Sequence, residues 1–246
     1  MEAWLFMGSY WDMEYRYLTM AELNDLADKF IMKARKKGEH WEPVVTEGKK
    51  IAKSWWGKAW CDNLERYADY DSRLDRGRRY VRAGAVADLR VYDGIVKAKV
   101  VGSGSKPYDI KINISPLKQD KMQEIIKQCS GRLKNAEDLM MGNFPKDMEE
   151  ILLKKGMLFP LPQEISFSCS CPDWADMCKH VAAALYGVGT RLDTDPVLFF
   201  TLRGIDLTGF IDATILNRVE KMLENANTSS SRIMDENEIK GLFGVL

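Results

Sequence analysis

Apolar and polar residues alternate with a period of two in three neighbouring segments, VADLRVY, IVKAKVV and YDIKINI. This period is typical of β-strands that bury one face and expose the other. Asp93-Gly94 separates the first two segments and is a strong hairpin signal, while GSGSKP provides the next turn. The sequence therefore predicts an antiparallel three-stranded meander, and RGRRYVRAGAV, directly upstream, extends the strand-like region.

Helical signals flank this meander. Thr19 and Glu22 form a capping-box pattern, and the apolar spacing that follows predicts a helix as far as Gly38. Ser54 is a candidate N-cap for a second helix that ends near Tyr67. Further helices are predicted over residues 115–128, 135–142, 145–155 and 211–225, and within the segment VAAALY.

Four potential metal ligands lie close together in the segment FSCSCPDWADMCKHVAAALY. Cys169, Cys171, Cys178 and His180 have the spacing C-x-C, six residues, C-x-H. Three thiolates and one imidazole are a ligand set of closed, structural zinc sites. The first pair follows the strand-like EISFS at a turn, and the second pair lies where the VAAALY helix begins. The sequence therefore predicts one bound Zn²⁺.

Two other interpretations of these cysteines compete with zinc: a disulfide or redox pair in CxC, and an ordinary buried thiol at Cys178. The first 20 residues lack the basic start and apolar run of a signal peptide, and no segment is long enough to span a bilayer. We therefore expect a cytoplasmic chain with no membrane contact, in which reduced cysteines favour metal. Cys61 and Cys129 are expected to be buried thiols, and His40 a surface residue.

These patterns together predict an α+β fold, in which helices and sheet are segregated along the chain. It consists of the antiparallel three-stranded meander with flanking helices, plus a small ββα-like zinc-finger module. Four regions are expected: an N-terminal helical extension (1–50), an α+β domain with the basic meander (51–160), the finger and its following helix (161–210), and a C-terminal helix, linker and apolar tail (211–246).

Charge is unevenly distributed, although the formal net charge is zero. Residues 76–111 contain nine basic residues against three acidic ones. The candidate nucleic-acid-binding residues share the polar strand face or precede it: Arg78, Arg79, Arg82, Arg90, Lys97, Lys99 and Lys111. Such a face could track phosphates, or it could be an ordinary solvated sheet face whose arginines pair with acidic residues upstream.

Tryptophans offer a second potential contact with nucleic acid, because bases stack on aromatic rings. Trp55, Trp56 and Trp60 lie at helical spacing in an apolar segment, which favours burial in the core. Trp174 lies in the metal loop, where it is either exposed or covers the zinc site.

The ligand spacing, together with Pro172, Asp173, Trp174 and Lys179, resembles the SWIM zinc finger. Over roughly residues 50–205 the chain is similar to prokaryotic SWIM zinc-finger proteins, in blocks that include KSWWGKAW, RGRRYVRAGAV, GSGSKPYDIKI and DTDPVLFFTLRG. The resemblance implies zinc binding by the four ligands named above. It also implies an association with DNA-related machinery, in particular Swi/Snf-type helicases.

Catalysis is not expected from this sequence. Only His40 remains for a histidine-based dyad, GSGSK lacks the spacing of a P-loop, and four protein ligands leave the metal no open position for water. The leading hypothesis is a non-enzymatic zinc-finger protein that binds DNA or RNA, docks onto a helicase-type partner, or does both. The alternative is a protein-interaction adaptor without direct nucleic-acid binding, suggested by the GLFGVL tail and the zero net charge; no small-molecule substrate is inferred.

Overall fold

The structure, a computed structural model, describes residues 17–48, 50–130, 146–154 and 156–226. The helix predicted at 135–142 and the apolar tail lie outside these residues. The described helices are α1 (Met20–Lys36), α2 (Trp55–Leu64), α3 (Asp71–Arg82), α4 (Gln119–Cys129), α5 (Lys146–Leu152), α6 (Lys179–Leu192), α7 (Leu198–Leu202) and α8 (Leu207–Ala226). The strands are β1 (Val86–Tyr92), β2 (Ile95–Val100), β3 (Tyr108–Ile114) and β4 (Ile165–Cys169).

The predicted mixture of helices and an antiparallel sheet is confirmed, and the meander is β1–β2–β3. The hairpin turn follows from Asp93-Gly94, since Gly94 adopts a φ of +66° that glycine tolerates without strain. The described sheet has four strands rather than three, in the order β1-β2-β3-β4. The fourth strand belongs to the finger segment and pairs antiparallel with β3, Ile110 opposite Cys169. The finger is therefore not a separate ββα-like unit, because its strand extends the main sheet.

Residues 71–82 form helix α3, so the strand-like interpretation of RGRRYVR is wrong. Leu74, Gly77, Tyr80 and Val81 are its buried residues, and their spacing of three and four is helical. Gly77 lies against helix α6, where a Cβ atom would be 2.6 Å from the Cβ of Ala182. The segment thus has helical spacing, and the face that carries it packs closely against α6.

Helix α6 covers the apolar face of the sheet and is the centre of the core. It contacts all four strands as well as α2 and α3, and twelve of its fourteen residues are buried. Small residues permit this: a Cβ at Gly187 would lie 2.9 Å from the Leu89 side chain of β1. The helix that follows the metal segment thus packs directly on the sheet.

The alternation predicted for the strands is confirmed. Val96, Ala98, Ile110 and Ile112 are buried beneath the sheet, whereas the lysines between them point away from α6 and are exposed or half-buried. The sheet therefore has one apolar face against α6 and one polar face.

A buried arginine holds the start of β4 beside the end of β3. Arg203, 1% exposed, lies 3.2 Å from Glu164 and donates to the Ser115 carbonyl at 2.6 Å. Burial lowers the pKa of this guanidinium, and the Glu164 carboxylate opposes that effect. The pair satisfies charges that would otherwise be buried alone.

Other predicted elements are present with changed bounds. The helix expected at 115–128 begins later, at Gln119, and the one expected at 211–225 begins earlier, at Leu207. The capping box at Thr19 is present, with Glu22 N–H donating to the threonine hydroxyl at 3.2 Å. Among the described residues, no helix combines the length and apolar character needed to cross a membrane. The four-region division of the chain stays a prediction.

Gly77→Ala tests the packing of α3 on α6. Helix propensity alone predicts that the change stabilises the protein by about 1 kcal/mol. We expect instead a destabilisation of about 1–3 kcal/mol, because the added methyl group overlaps Ala182. The measurement is the urea unfolding midpoint of the zinc-loaded protein. Ser72→Ala, an exposed position on the same helix, is the control and should change stability by less than about 0.5 kcal/mol; a raised midpoint for Gly77→Ala would contradict the packing.

Candidate metal centre

The four predicted ligands come from two neighbouring elements of the fold. Cys169 is the last residue of β4, and Cys171 follows it in the turn. Cys178 is the N-cap of α6, and His180 lies in the first turn of that helix. The expectation of a strand-end pair and a helix-start pair is therefore confirmed.

Their ligand atoms converge on one point. The three sulfurs and a ring nitrogen all lie within 4.8 Å of one another. The Nδ1 atom of His180 is 3.9 Å from the Cys178 sulfur and 4.0 Å from the Cys169 sulfur. Zn–S bonds of about 2.3 Å and Zn–N bonds of about 2.0 Å in a tetrahedron place sulfur and nitrogen about 3.5 Å apart. The quartet is thus close to the dimensions of a tetrahedral site.

The pKa values of the three cysteine thiols favour a cation between them. A hydrogen bond from Cys169 lowers the pKa of Cys178 to about 4, and the same bond raises the pKa of Cys169 above its ordinary value. Burial raises the pKa of Cys171. Three facing sulfurs therefore do not all become thiolates unless a positive charge lies between them, which a divalent ion provides. The donor set fits a metal ion, and its sulfur-rich composition suits zinc.

Helix α6 contributes to the same electrostatics. The Cys178 sulfur accepts a hydrogen bond from the Val181 N–H at 3.4 Å, so one otherwise unpaired donor of the first turn is satisfied. The positive end of the helix dipole faces the thiolates. Lys179, the first residue of the helix, is buried, and its ammonium lies 5.7 Å from the Tyr80 ring centroid.

Aromatic rings fix the orientation of the imidazole. The Tyr108 ring lies 4.2 Å from the His180 ring at an interplanar angle of 30°, and Tyr80 contacts it edge-on at 5.5 Å. The Nε2 atom of His180 is buried and has no hydrogen-bond partner in the described part of the chain. It lies against Gly102, where a Cβ atom would be only 2.9 Å away. Nδ1 is therefore the nitrogen available to the metal, and Gly102 leaves room for the ring.

The C-x-C turn is attached to the neighbouring strand. Ser170, between the first two ligands, donates its N–H to the Asp109 carbonyl at 3.0 Å. Its hydroxyl accepts the Asp109 N–H at 3.0 Å. These two bonds continue the pairing of β4 with β3 past Cys169, so the sheet positions the first sulfurs.

The tryptophans separate into two groups. Trp60 is buried and donates to the Leu185 carbonyl at 2.8 Å, and Trp56 donates to the Leu192 carbonyl at 2.7 Å. Both join α2 to α6, and Trp55 packs against the core, which agrees with the expected structural role. Trp174, in contrast, is exposed and does not cover the metal site.

The two remaining cysteines and the remaining histidine are not part of the quartet. Cys129 is buried and Cys61 half-buried, and burial raises the pKa of the Cys61 thiol to about 12. His40 is exposed. None of the described cysteines forms a disulfide, so the redox-pair interpretation of C-x-C has no support from the geometry.

The candidate nucleic-acid residues fall on two different elements. Arg90, Lys97, Lys99 and Lys111 line one depression on the polar sheet face. The remaining three lie on helix α3, not on an incoming strand: Arg78, Arg79 and Arg82. Arg78 contacts Glu65 and Asp75, and Arg79 donates to the Leu18 carbonyl. The structure therefore does not join the helical arginines to the strand face.

Sequence reasoning missed the contacts around the imidazole. Tyr108 begins β3 and belongs to its apolar face by the period of two, but its stacking on His180 depends on how α6 packs on β3. Gly102 was read only as part of a turn. A glycine just after the end of β2 could have indicated that another group approaches the backbone closely there.

Comparison with known proteins agrees with this geometry. Residues 168–188 match the SWIM zinc finger family, and the four-ligand cluster lies within them. This segment is thus a SWIM-type zinc finger. An uncharacterized protein of Mycobacterium tuberculosis, Rv2102, is 36% identical over 156 residues, which is 63% of this chain and 56% of that relative. The chain thus matches little more than half of the length of this relative. No solved structure matches the chain.

Cys178→Ser tests the metal centre. We expect the purified wild-type chain to hold one zinc ion and the variant to hold almost none, because the serine hydroxyl is a poor zinc ligand and the helix start loses its thiolate. Metal content by elemental analysis and helix content by circular dichroism are the measurements. Cys61→Ser is the matched control and should keep its zinc. A metal-free wild-type chain with full helicity would contradict the site.

Gly102→Ala tests the space around the imidazole. A methyl group would lie 2.9 Å from both His180 Nε2 and the Tyr108 ring, so the ligand must rotate. We expect zinc affinity to fall by about 10- to 100-fold, as when the groups around a metal ligand are disturbed. Competition with a chromogenic chelator measures it, with Ser105→Ala in the exposed turn as control. Equal affinities in all three proteins would show that this contact does not matter.

Proposed function

We propose that the chain is a non-catalytic zinc-binding protein whose polar sheet face binds the phosphates of a nucleic acid. The zinc ion would have a structural role, because four protein ligands leave no coordination position for a substrate or water. The observation that carries the nucleic-acid part is a line of three basic side chains across adjacent strands.

This basic row consists of Arg90, Lys97 and Lys111. Arg90 lies directly opposite Lys97, and Lys97 directly opposite Lys111, on β1, β2 and β3. Neighbouring strands are about 4.8 Å apart, and like charges directly opposite each other destabilise a sheet. An anion bound over such a row would reduce the repulsion between the three side chains.

In the neighbouring row of the sheet, the basic side chain is already paired with a carboxylate. Lys99 lies between Asp88 and Asp109 in the register, and its ammonium is 2.5 Å from the Asp109 carboxylate. In the basic row, Arg90 is partly neutralised by Asp88 of the neighbouring row, which lies 3.3 Å away and raises the pKa of the guanidinium. Lys97 and Lys111 have no carboxylate within ion-pair distance among the described residues. They are the two cations left for phosphates.

The surroundings of the row suit a flexible nucleic-acid strand. A depression of about 490 Å³ lies over it and extends to Ser168 and Ser170 of the finger segment. Tyr92 is exposed at one end, with the Lys97 ammonium 5.5 Å from its ring centroid. Exposed aromatic rings beside cations are a common platform for unpaired bases. The metal centre supports this face, because Cys169 ends the strand that borders Lys111.

The remaining parts of the leading hypothesis stay predictions. Docking onto a Swi/Snf-type helicase rests on the resemblance alone, and the adaptor alternative was based partly on a tail outside the described residues. Cytoplasmic localisation is likewise a prediction.

The double variant Lys97→Ala/Lys111→Ala tests the proposal. We expect it to bind a single-stranded 20-mer roughly tenfold more weakly at low salt, because each lost phosphate contact removes counterion release. The slope of log affinity against log salt should become shallower by about 1.5. Fluorescence anisotropy at several salt concentrations measures both quantities, with single-stranded and duplex probes.

The matched control is Lys118→Ala/Lys127→Ala, which removes the same charge from exposed positions on or beside α4. It should leave the salt slope nearly unchanged. Absence of binding by the wild-type chain at low salt, or equal losses in the two double variants, would refute the proposed surface.

A further inference from the structure

Two large aromatic side chains are exposed next to each other beside the metal centre. Trp174 is 78% exposed and Tyr70 is 45% exposed. Their ring centroids are 5.6 Å apart and their planes meet at 82°, a favourable edge-to-face arrangement. Much of the Trp174 ring nevertheless faces solvent. Exposed aromatic groups of this size are enriched in protein interfaces.

Trp174 lies on a loop that is held against the start of α3, where Tyr70 is the N-cap residue. Arg73 contacts both oxygens of Asp173 at 3.1 Å. The Asp176 N–H donates to the Asp69 carboxylate at 2.9 Å. These bonds attach the loop between the second and third metal ligands to the start of α3. The aromatic surface is therefore preorganised, which reduces the entropy that binding would lose.

The charge around the pair is negative. Asp69, Asp71 and Asp176 are exposed, and none of them forms an ion pair with a basic side chain within the described residues. Arg73, whose guanidinium carbon is 6.0 Å from the Tyr70 centroid, is neutralised by Asp173. A phosphate backbone would be repelled here, whereas a cation would be attracted.

We propose that this aromatic–acidic patch, formed by Asp69, Tyr70, Asp71, Trp174 and Asp176, is a docking surface for a partner protein that presents an arginine-rich segment. A guanidinium stacks flat on an indole ring and is weakly hydrated. Its remaining N–H groups can donate to the neighbouring carboxylates. Both halves of the patch thus recognise the same side chain.

The patch is distinct from the proposed nucleic-acid surface. None of its five residues lines the depression over the basic row, and its charge has the opposite sign. One chain could therefore hold a nucleic acid and a basic protein segment at the same time. The proposal does not depend on nucleic-acid binding, and the two surfaces fail in different experiments.

A labelled octapeptide of alternating arginine and glycine is the probe for the zinc-loaded, full-length chain. We expect binding at low salt, measured by anisotropy, and a shift of the Trp174 indole resonance in ¹⁵N NMR spectra. Trp174→Ala should weaken binding about fivefold to tenfold, the range of a desolvated cation–π contact. Asp71→Asn and Asp176→Asn should each weaken it by up to about fivefold. All three positions are exposed, so the variants should fold.

Tyr92→Ala is the matched control, because Tyr92 is also 45% exposed but lies on the basic sheet face; it should bind the peptide as the wild type does. A glutamate–glycine octapeptide should not bind. The proposal is overturned if the arginine peptide does not bind, if Trp174→Ala binds it equally well, or if a single-stranded oligonucleotide shifts the Trp174 resonance and displaces the peptide.

Discussion

The structure depends on a quartet of metal ligands that joins the edge strand of a sheet to the first turn of its central helix. Cys169 and Cys171 are fixed by the pairing of β4 with β3, and Cys178 and His180 by the start of α6. Of the three sulfurs, that of Cys178 is buried and the other two are half-buried, and the hydrogen bond between Cys169 and Cys178 lowers the pKa of Cys178 while it raises that of Cys169. A divalent ion held by all three thiolates would link the strand to the helix. Metal binding would therefore stabilise the packing of this helix on the sheet.

Helix α6 is held firmly in place because small residues on its surface let its neighbours pack very close to it. Helix α3 approaches it at Ala182, strand β1 at Gly187 and helix α2 at Gly189. At each of these contacts a glycine is present on one side, and a Cβ atom added to that glycine would lie 2.6–2.9 Å from an atom of the other element. Close contacts of this kind leave little freedom for a helix to shift. The imidazole in the first turn is consequently positioned by the packing of the whole helix, and the two tyrosine rings only complete its enclosure. A zinc finger that is part of the main core in this way differs from one that folds as a separate module.

Sequence reasoning succeeded where the determining interactions are local. The capping box at Thr19, the Asp93-Gly94 turn and the ligand spacing each depend on residues a few positions apart, and each is found as predicted. It failed where distant contacts decide. RGRRYVR is predicted as strand-like but forms the second half of helix α3, and the contact with α6 explains which of its faces is buried. Pairing of β4 with β3 joins residues more than fifty positions apart, and no local pattern specifies that register.

The charges illustrate why composition is a poor guide to the surface of this protein. Net charge is zero, yet the register of the sheet concentrates like charges that the sequence separates. If β3 were shifted by two residues, the same side chains would face solvent and Lys97 would lie opposite Asp109 instead of Lys111. The observed register keeps the two lysines opposite each other, at a destabilisation of roughly 0.2–1 kcal/mol. The turn that joins β2 to β3 fixes that register, so the turn imposes the repulsion on the polar face. A bound polyanion would remove the repulsion without altering the core, and this local arrangement supports the phosphate binding proposed for the polar face more than the average charge does.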